Sequence, residues 1–198
     1  MYYSKIKHFD PANGPGIRLS LFVSGCQFHC YNCFNPETWE YSWGKEYTHI
    51  TKEEILKDLS SQYYEGLSIL GGDPLWQTPA DIERYLIPLV QESKLLGKTV
   101  WIWSGFTWEE IFMPQNVFLE HFKEFPYITK RQEYMIPYQR ELIALCDVWV
   151  DGRYEDSQRN ITLPYCGSNN QRVIDVPKTL RTITETNPTG EVILYEHY

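Results

Sequence analysis

The stretch Ile17-Arg18-Leu19-Ser20-Leu21-Phe22-Val23-Ser24-Gly25-Cys26-Gln27-Phe28-His29-Cys30-Tyr31-Asn32-Cys33 decides how this chain is read. Ile17 to Ser24 reads as a strand that ends at Gly25. The remainder sets three cysteines, Cys26, Cys30 and Cys33, in a C-x3-C-x2-C spacing. Three thiolates on one short loop can hold three corners of an iron–sulfur cube, whereas simple electron-transfer clusters use four cysteines. A cube held by three leaves one iron without a protein ligand. As with the open position of a catalytic zinc, a reactant can bind there. The residues leave a second reading open, a structural zinc with a fourth ligand from His29, Cys146, Cys166 or another histidine. Two CxxC pairs are the usual zinc spelling, and the sequence has one, Cys30-x2-Cys33.

The strand-then-turn pattern repeats along the chain. Leu67 to Leu70 is a short buried strand before Gly71-Gly72-Asp73-Pro74, Lys98 to Trp103 one before Ser104-Gly105, and Val148 to Val150 one before Asp151-Gly152. Helices fall between them. Thr51-Lys52-Glu53-Glu54 spells a capping box, followed by Ile55, Leu56, Leu59 and Tyr63 on one face. Thr78, Pro79 and Asp81 open the next helix, and Pro88 is expected to kink or split it. Thr107-Trp108-Glu109-Glu110 starts another. From Pro114 to about Leu145 the pattern predicts short, aromatic-rich helical pieces punctuated by Pro126 and Pro137. Arg172 to Val176 and Glu191 to Tyr195 read as two late strands. The alternation predicts an α/β fold with a mostly parallel sheet, an open or partial β/α barrel. A length of 198 residues fits a single domain over 1–198.

Such a barrel carries its functional loops at the carboxyl ends of the strands. The cysteine loop, Gly71-Gly72-Asp73, Ser104 and Asp151 all fall there. Gly71 and Gly72 would let a backbone approach a ligand closely, and Asp73 could accept hydrogen bonds from an ammonium. Alone, Gly-Gly-Asp-Pro is more simply a tight turn; beside the cysteine loop it reads as part of a site.

Composition bounds the function. The chain is 42% hydrophobic and 16% aromatic, enough for a sizeable core, with a formal charge of -8. That charge argues against a nucleic-acid backbone or an anionic membrane as partner, since both call for a basic surface. Five cysteines, three of them crowded together, do not form a secreted disulfide framework, and a reducing, cytoplasmic interior is expected. No apolar run approaches the ~20 residues of a membrane span. Val23-Ser24-Gly25-Cys26 spells a lipoprotein cleavage site, but the apolar run Leu19 to Val23 falls short of the roughly 7–15-residue core of a signal peptide. Cys146 reads as a core thiol and Cys166 as a loop thiol without a catalytic role. His8, His29, His49, His121 and His197 show no metal-ligand spacing.

Cys26-x3-Cys30-x2-Cys33 together with Leu70-Gly71-Gly72-Asp73-Pro74 resembles the radical S-adenosylmethionine enzymes. Asn13-Gly14-Pro15-Gly16-Ile17-Arg18, Leu21-Phe22-Val23-Ser24-Gly25-Cys26 and Cys33-Phe34-Asn35-Pro36-Glu37-Thr38-Trp39 resemble its glycyl radical enzyme activating branch. Trp101-Ile102-Trp103-Ser104-Gly105-Phe106, Val150-Asp151-Gly152-Arg153-Tyr154 and Gly167-Ser168-Asn169-Asn170-Gln171 resemble the members that serve the anaerobic ribonucleoside-triphosphate reductase.

The resemblance implies a partial barrel of the radical S-adenosylmethionine type. It implies that Cys26, Cys30 and Cys33 hold a 4Fe–4S cluster whose open iron is chelated by the amino and carboxylate groups of S-adenosylmethionine. One electron would cleave that cofactor to methionine and a 5′-deoxyadenosyl radical. The radical would take hydrogen from a glycine of the class III reductase, with a flavodoxin- or ferredoxin-like protein as electron donor. Gly71, Gly72 and Asp73 would face the methionine end and Asn32, Cys33 and Phe34 the adenosine, with Ser104 and Asp151 as further contacts. Many family members carry an aromatic residue just before the third cysteine; here it is Asn32, which leaves Phe34 or Tyr31 to pack on the adenine. Another glycyl radical enzyme such as a formate-lyase, a free metabolite as substrate, or a non-enzymatic metal-binding module are the competing readings.

Overall fold

The computed structural model describes residues 1–112 and 126–196. The strand Arg18–Val23 is buried along its whole length, as expected where both faces of a sheet are covered. In chain order the strands are β1 (Tyr2–Asp10), β2 (Arg18–Val23), β3 (Lys45–Glu46), β4 (Gly66–Gly71), β5 (Thr99–Trp103), β6 (Val148–Asp151) and β7 (Arg172–Asp175). They form one sheet in the order β3-β1-β2-β4-β5-β6-β7. The four central strands, β2, β4, β5 and β6, run parallel. β1 pairs antiparallel with β2 and β3, and β7 antiparallel with β6. β3 and β7 stand at opposite edges, so the sheet is open.

The expected α/β class and parallel centre are therefore present, with corrections at the margins. β1 was not expected. Its residues alternate between half-buried and exposed, so Tyr2-Tyr3-Ser4-Lys5-Ile6-Lys7-His8 carries no apolar run. Glu191 to Tyr195, expected as a strand, makes only a bridge between Ile174 and Leu194, with hydrogen bonds from Asp175 N–H to Ile193 O and from Tyr195 N–H to Val173 O.

The helices cover the sheet. α1 (His49–Leu59) starts earlier than its sequence signature: the reciprocal cap is Thr48 with Thr51. α2 (Pro79–Asp81) is capped by Thr78 and runs through a π-helical turn (Ile82–Leu86) into α3 (Ile87–Leu95). Pro88 neither splits this run nor ends it. Proline cannot donate to the carbonyl four residues back; the wider turn just ahead absorbs the lost bond, with the Ile87 amide reaching Ile82. α4 (Trp108–Phe112) is followed by α5 (Pro126–Leu145), which continues through Pro137 as one helix of 20 residues instead of short pieces. The rest of the aromatic-rich 114–145 prediction lies outside the described residues, as do His121 and His197. α6 (Val176–Leu180) follows β7.

The amino ends of the parallel strands are joined by one buried cation. Arg18 donates through Nε to Ser68 Oγ at 2.7 Å, through Nη1 to Thr99 Oγ1 at 2.9 Å, and through Nη2 to the Leu67 and Thr99 carbonyls at 2.7 and 3.0 Å. One guanidinium thus links β2, β4 and β5. Burial lowers its pKa to about 10, so it stays charged at neutral pH. Arg18→Leu removes these bonds and leaves buried oxygens without donors. The expected loss of stability is about 3 kcal/mol or more, read as a lower urea midpoint in equilibrium unfolding of the metal-free protein.

Candidate functional site

The opposite, carboxyl ends of the same strands carry the site. β2 ends at Val23, and the chain turns at Gly25, whose φ is +106° and where a Cβ would sit 2.4 Å from the Tyr41 ring. Only glycine fits such a turn. The root of the cysteine loop is then tied to the returning chain, Gly25 N–H to Thr38 O at 2.7 Å and Cys26 N–H to Trp39 O at 3.2 Å. Within the loop His29 and Asn32 have φ of 48° and 55°. These left-handed bends stand immediately before Cys30 and Cys33. Asn and His are among the residues that tolerate that conformation, so Asn32 has a backbone reason to stand where an aromatic residue was expected.

Cys26, Cys30 and Cys33 line one cavity together with Gly71, Gly72 and Asp73 from the end of β4 and Ser104 from the end of β5. Cys26 is buried, Cys30 and Cys33 half-buried. Asn35 N–H lies 3.5 Å from Cys33 Sγ, and the backbone amides of Phe28 and His29 lower the Cys26 pKa, and that of Tyr154 the Cys30 pKa, against burial. Burial pushes the Cys26 thiol up to about 12, with Asp73 adding to it; burial and then Cys33 raise Cys30. Such thiols bind metal as thiolates and release protons in doing so. The three sulfurs line a cavity without meeting at a point: among the described residues no three His, Cys, Asp or Glu side chains are placed to hold a single metal ion. Three amide-supported cysteines around one cavity are a donor set that fits a cluster bound by three thiolates.

The Gly71-Gly72-Asp73 turn serves this arrangement differently from the sequence expectation. A Cβ on Gly71 would lie 2.6 Å from Val23 O, and one on Gly72 2.7 Å from both Gly25 O and Thr38 O. The glycines permit close approach to the root of the cysteine loop. Gly72 N–H bonds Val23 O at 2.7 Å and Asp73 N–H bonds Gly25 O at 2.8 Å. The Asp73 carboxylate, expected to meet an ammonium, is occupied by protein donors: Leu75 N–H at 2.8 Å, Ser104 Oγ at 2.9 Å to both oxygens, and Gly105 N–H at 2.8 Å. Burial raises its pKa to about 6 against those hydrogen bonds. Asp73 and Ser104 thereby tie the ends of β4 and β5 together.

Of the other expected site residues, Phe34 lines the cavity, whereas Asn32, Tyr31 and Asp151 do not. Asn32 Nδ2 donates to Asp156 at 3.1 Å. Asp151 is fully buried and accepts from Trp108 N–H at 2.8 Å and from Arg172; its neighbour Gly152 is what reaches the cavity. Cys146 is buried in the core, as expected. Sequence reasoning missed Gln77, a buried amide whose Nε2 joins Ser24 O at 2.9 Å to Asp73 O at 3.1 Å. It also missed Phe28, whose ring meets Trp76 and Phe106 edge-on at 5.5 and 4.9 Å. A lone glutamine and a phenylalanine inside the loop carry no spacing signal; the pattern that could have flagged them is their position beside the motifs themselves.

Two outcomes are expected. Gly72→Ala drives a methyl group into two carbonyls and should weaken iron retention after anaerobic reconstitution about tenfold or more, read as iron and sulfide per chain. The second concerns pH. Asp73 titrates at about 6 in the folded protein, against about 3.9 for an exposed aspartate. The folded state therefore holds the proton more tightly, so this stabilisation is complete below about 3.9 and is lost as pH rises through about 6. The urea midpoint of the metal-free protein should fall across that window, and the fall should be smaller in Asp73→Asn.

Residues 12–174 match the family model of the 4Fe-4S single cluster domain. The chain is 32% identical over 173 residues to the anaerobic ribonucleoside-triphosphate reductase-activating protein of Enterobacteria phage T4, covering 87% of this chain and 93% of that protein. The Vibrio cholerae protein of that name is 35% identical over 175 residues, covering 86% of this chain and 96% of its own length. The Escherichia coli K12 protein is 31% identical over 178 residues, covering 87% and 97%.

Proposed function

The chain belongs to the anaerobic ribonucleoside-triphosphate reductase-activating proteins and carries a 4Fe-4S single cluster domain, and from that premise we propose that it activates an anaerobic ribonucleoside-triphosphate reductase with S-adenosylmethionine bound at its cluster. The observation that carries the reading is the meeting of Cys26, Cys30 and Cys33 with the Gly71–Asp73 turn in one cavity. Once reduced by its electron donor, a cluster held there would supply the one electron that cleaves S-adenosylmethionine, the chemistry by which a glycine of the reductase would lose a hydrogen atom.

The chain's own residues bind, orient and exclude water. Cys26, Cys30 and Cys33 would hold the cluster, and three protein ligands would leave room for S-adenosylmethionine to bind it. Gly71, Gly72 and Asp73 offer main-chain groups at the methionine end, because the Asp73 carboxylate is already engaged. Ser104 holds that carboxylate in place. Phe34, edge-on to Tyr154 at 5.4 Å, packs on the adenine in place of an aromatic residue at position 32, and Asn32 contributes its backbone bend. Asp151 acts through Gly152. Phe28, Trp76 and Phe106 keep water from the buried side.

In this reading residues 1–198 act as one domain, and the open sheet is a partial barrel of the radical S-adenosylmethionine type. The protein works in the cytoplasm with a flavodoxin- or ferredoxin-like electron donor and needs neither nucleic acid nor membrane. Its formal charge of -8 disfavours a polyanionic partner; no helix among the described residues is long and apolar enough to cross a membrane.

The test is anaerobic. Protein reconstituted with iron and sulfide, reduced with dithionite and given S-adenosylmethionine is expected to release 5′-deoxyadenosine, and Cys30→Ala to release none. With its cognate reductase present, a glycyl radical signal should appear by electron paramagnetic resonance. A fully loaded, reducible cluster that yields no 5′-deoxyadenosine with the reductase present would overturn the proposal.

A further inference from the structure

Arg153 has no part in the chemistry above, yet it stands where α4, the cysteine loop and the loop after β6 meet. Its Nη2 donates to Glu110 Oε1 at 2.8 Å. Glu110 is itself fixed. It is buried, its Oε2 accepts the Thr107 N–H at 2.9 Å, and its own N–H donates to Thr107 Oγ1 at 3.3 Å. This reciprocal cap at the start of α4 makes the carboxylate a rigid anchor.

From that anchor the guanidinium reaches over Phe28, its Cζ 4.6 Å from the ring centroid, within the range of a cation–π contact. The ring cannot retreat. Trp76 and Phe106 meet it edge-on, and a Cβ on Gly105 would lie 2.5 Å from it. Phe28 stands between Cys26 and Cys30 in the chain and lines the cavity with them. The residues on either side of Arg153, Gly152 and Tyr154, line the same cavity. Arg153 O accepts from Asn170 Nδ2 at 2.7 Å, which holds the backbone at that point.

The charges around the loop are unevenly placed. Asp73 lines the cavity from the end of β4, and Arg153 rests on the Phe28 ring that lines it from within the cysteine loop. Of the Arg153–Glu110 pair, Arg153 is the member that touches the cysteine loop, through the Phe28 ring, while Glu110 holds it from α4.

We propose that Arg153 is a positioning residue that, anchored by Glu110 and laid on Phe28, raises the reduction potential of the cluster bound by the Cys26–Cys33 loop. The inference rests on the cluster reading of the site. The potential of an iron–sulfur cluster depends on net charge, on hydrogen bonds to its sulfurs and on exposure. Reduction adds one negative charge, and a fixed cation favours it. The Arg153 side chain is 43% exposed, so solvent and salt screen its charge. The expected effect is about tenfold in the ratio of reduced to oxidised cluster, about 59 mV for a one-electron couple.

The experiment compares wild type with Arg153→Gln, Arg153→Met and Arg153→Lys, each reconstituted anaerobically as the full chain. Iron and sulfide per chain are measured first, then the midpoint potential without S-adenosylmethionine, by redox titration followed by electron paramagnetic resonance. The titration reads only the clusters present, so a poorly loading variant still reports. Arg153→Gln and Arg153→Met are expected to shift the potential negative by about 59 mV, and Arg153→Lys, which keeps the charge, to restore most of it. Neutral variants that titrate at the wild-type potential would overturn the proposal. So would equal loss of loading in all three with an unchanged potential, which would mark Arg153 as a purely structural residue. A wild-type chain that binds no cluster would refute the cluster reading itself.

Discussion

The main-chain contact between the Gly71-Gly72 turn and the root of the cysteine loop governs everything built at the carboxyl ends of the strands. Gly72 N–H to Val23 O and Asp73 N–H to Gly25 O are bonds between two strand ends that already lie side by side in the sheet. They extend the β2–β4 pairing by one turn past its natural end. No side chain is tolerated in that gap, since a methyl on Gly72 would overlap two carbonyls. The loop that carries Cys26 therefore departs from a rigid platform, and its later cysteines inherit their positions from there. Gln77, buried between Ser24 O and Asp73 O, stitches the same two segments from behind.

Two buried charges divide the molecule by purpose. Arg18 at the amino ends of the strands and Asp73 at the carboxyl ends each bridge neighbouring strands, and each is stabilised by hydrogen bonds instead of a buried counter-charge. Arg18 touches no part of the cavity; its role is to hold the sheet. Asp73 holds the sheet and the cavity wall at once. Unpaired charges are costly in a low-dielectric interior, so each is found where several strand-end donors or acceptors converge. The acidic residues of α4 extend the scheme outward: Glu109 takes Arg172, which pairs with Asp151, and Glu110 takes Arg153.

The strands of the parallel centre were legible because each is an apolar run closed by glycine. β1 was not, because a strand whose residues are mostly half-buried or exposed lacks that signature. The helix through Pro88 was legible as a helix but not in form. Sequence can register the lost amide of a proline, but not whether the surrounding packing answers it with a kink or, as here, with a widened turn over Ile82–Leu86. Likewise the glycines of the Gly71–Asp73 turn were recognisable as a close approach, but not what they approach.

The sequence by itself determined the cysteine spacing, the glycine-ended strands and the motifs from Asn13 to Gln171 that mark the family. Local chemistry suffices for these, since a thiolate ligand or a positive-φ turn is specified by the residue that provides it. Which side of each polar residue faces the cavity was decided only by tertiary structure. Asp73 and Asp151 are both aspartates at strand ends, yet one lines the cavity wall with its carboxylate satisfied by Ser104 and Gly105, and the other is turned beneath it toward Arg172. Their partners are 31 or 32 and 21 residues away along the chain. Contacts over such separations exist only once the strands are paired, and no local pattern encodes them.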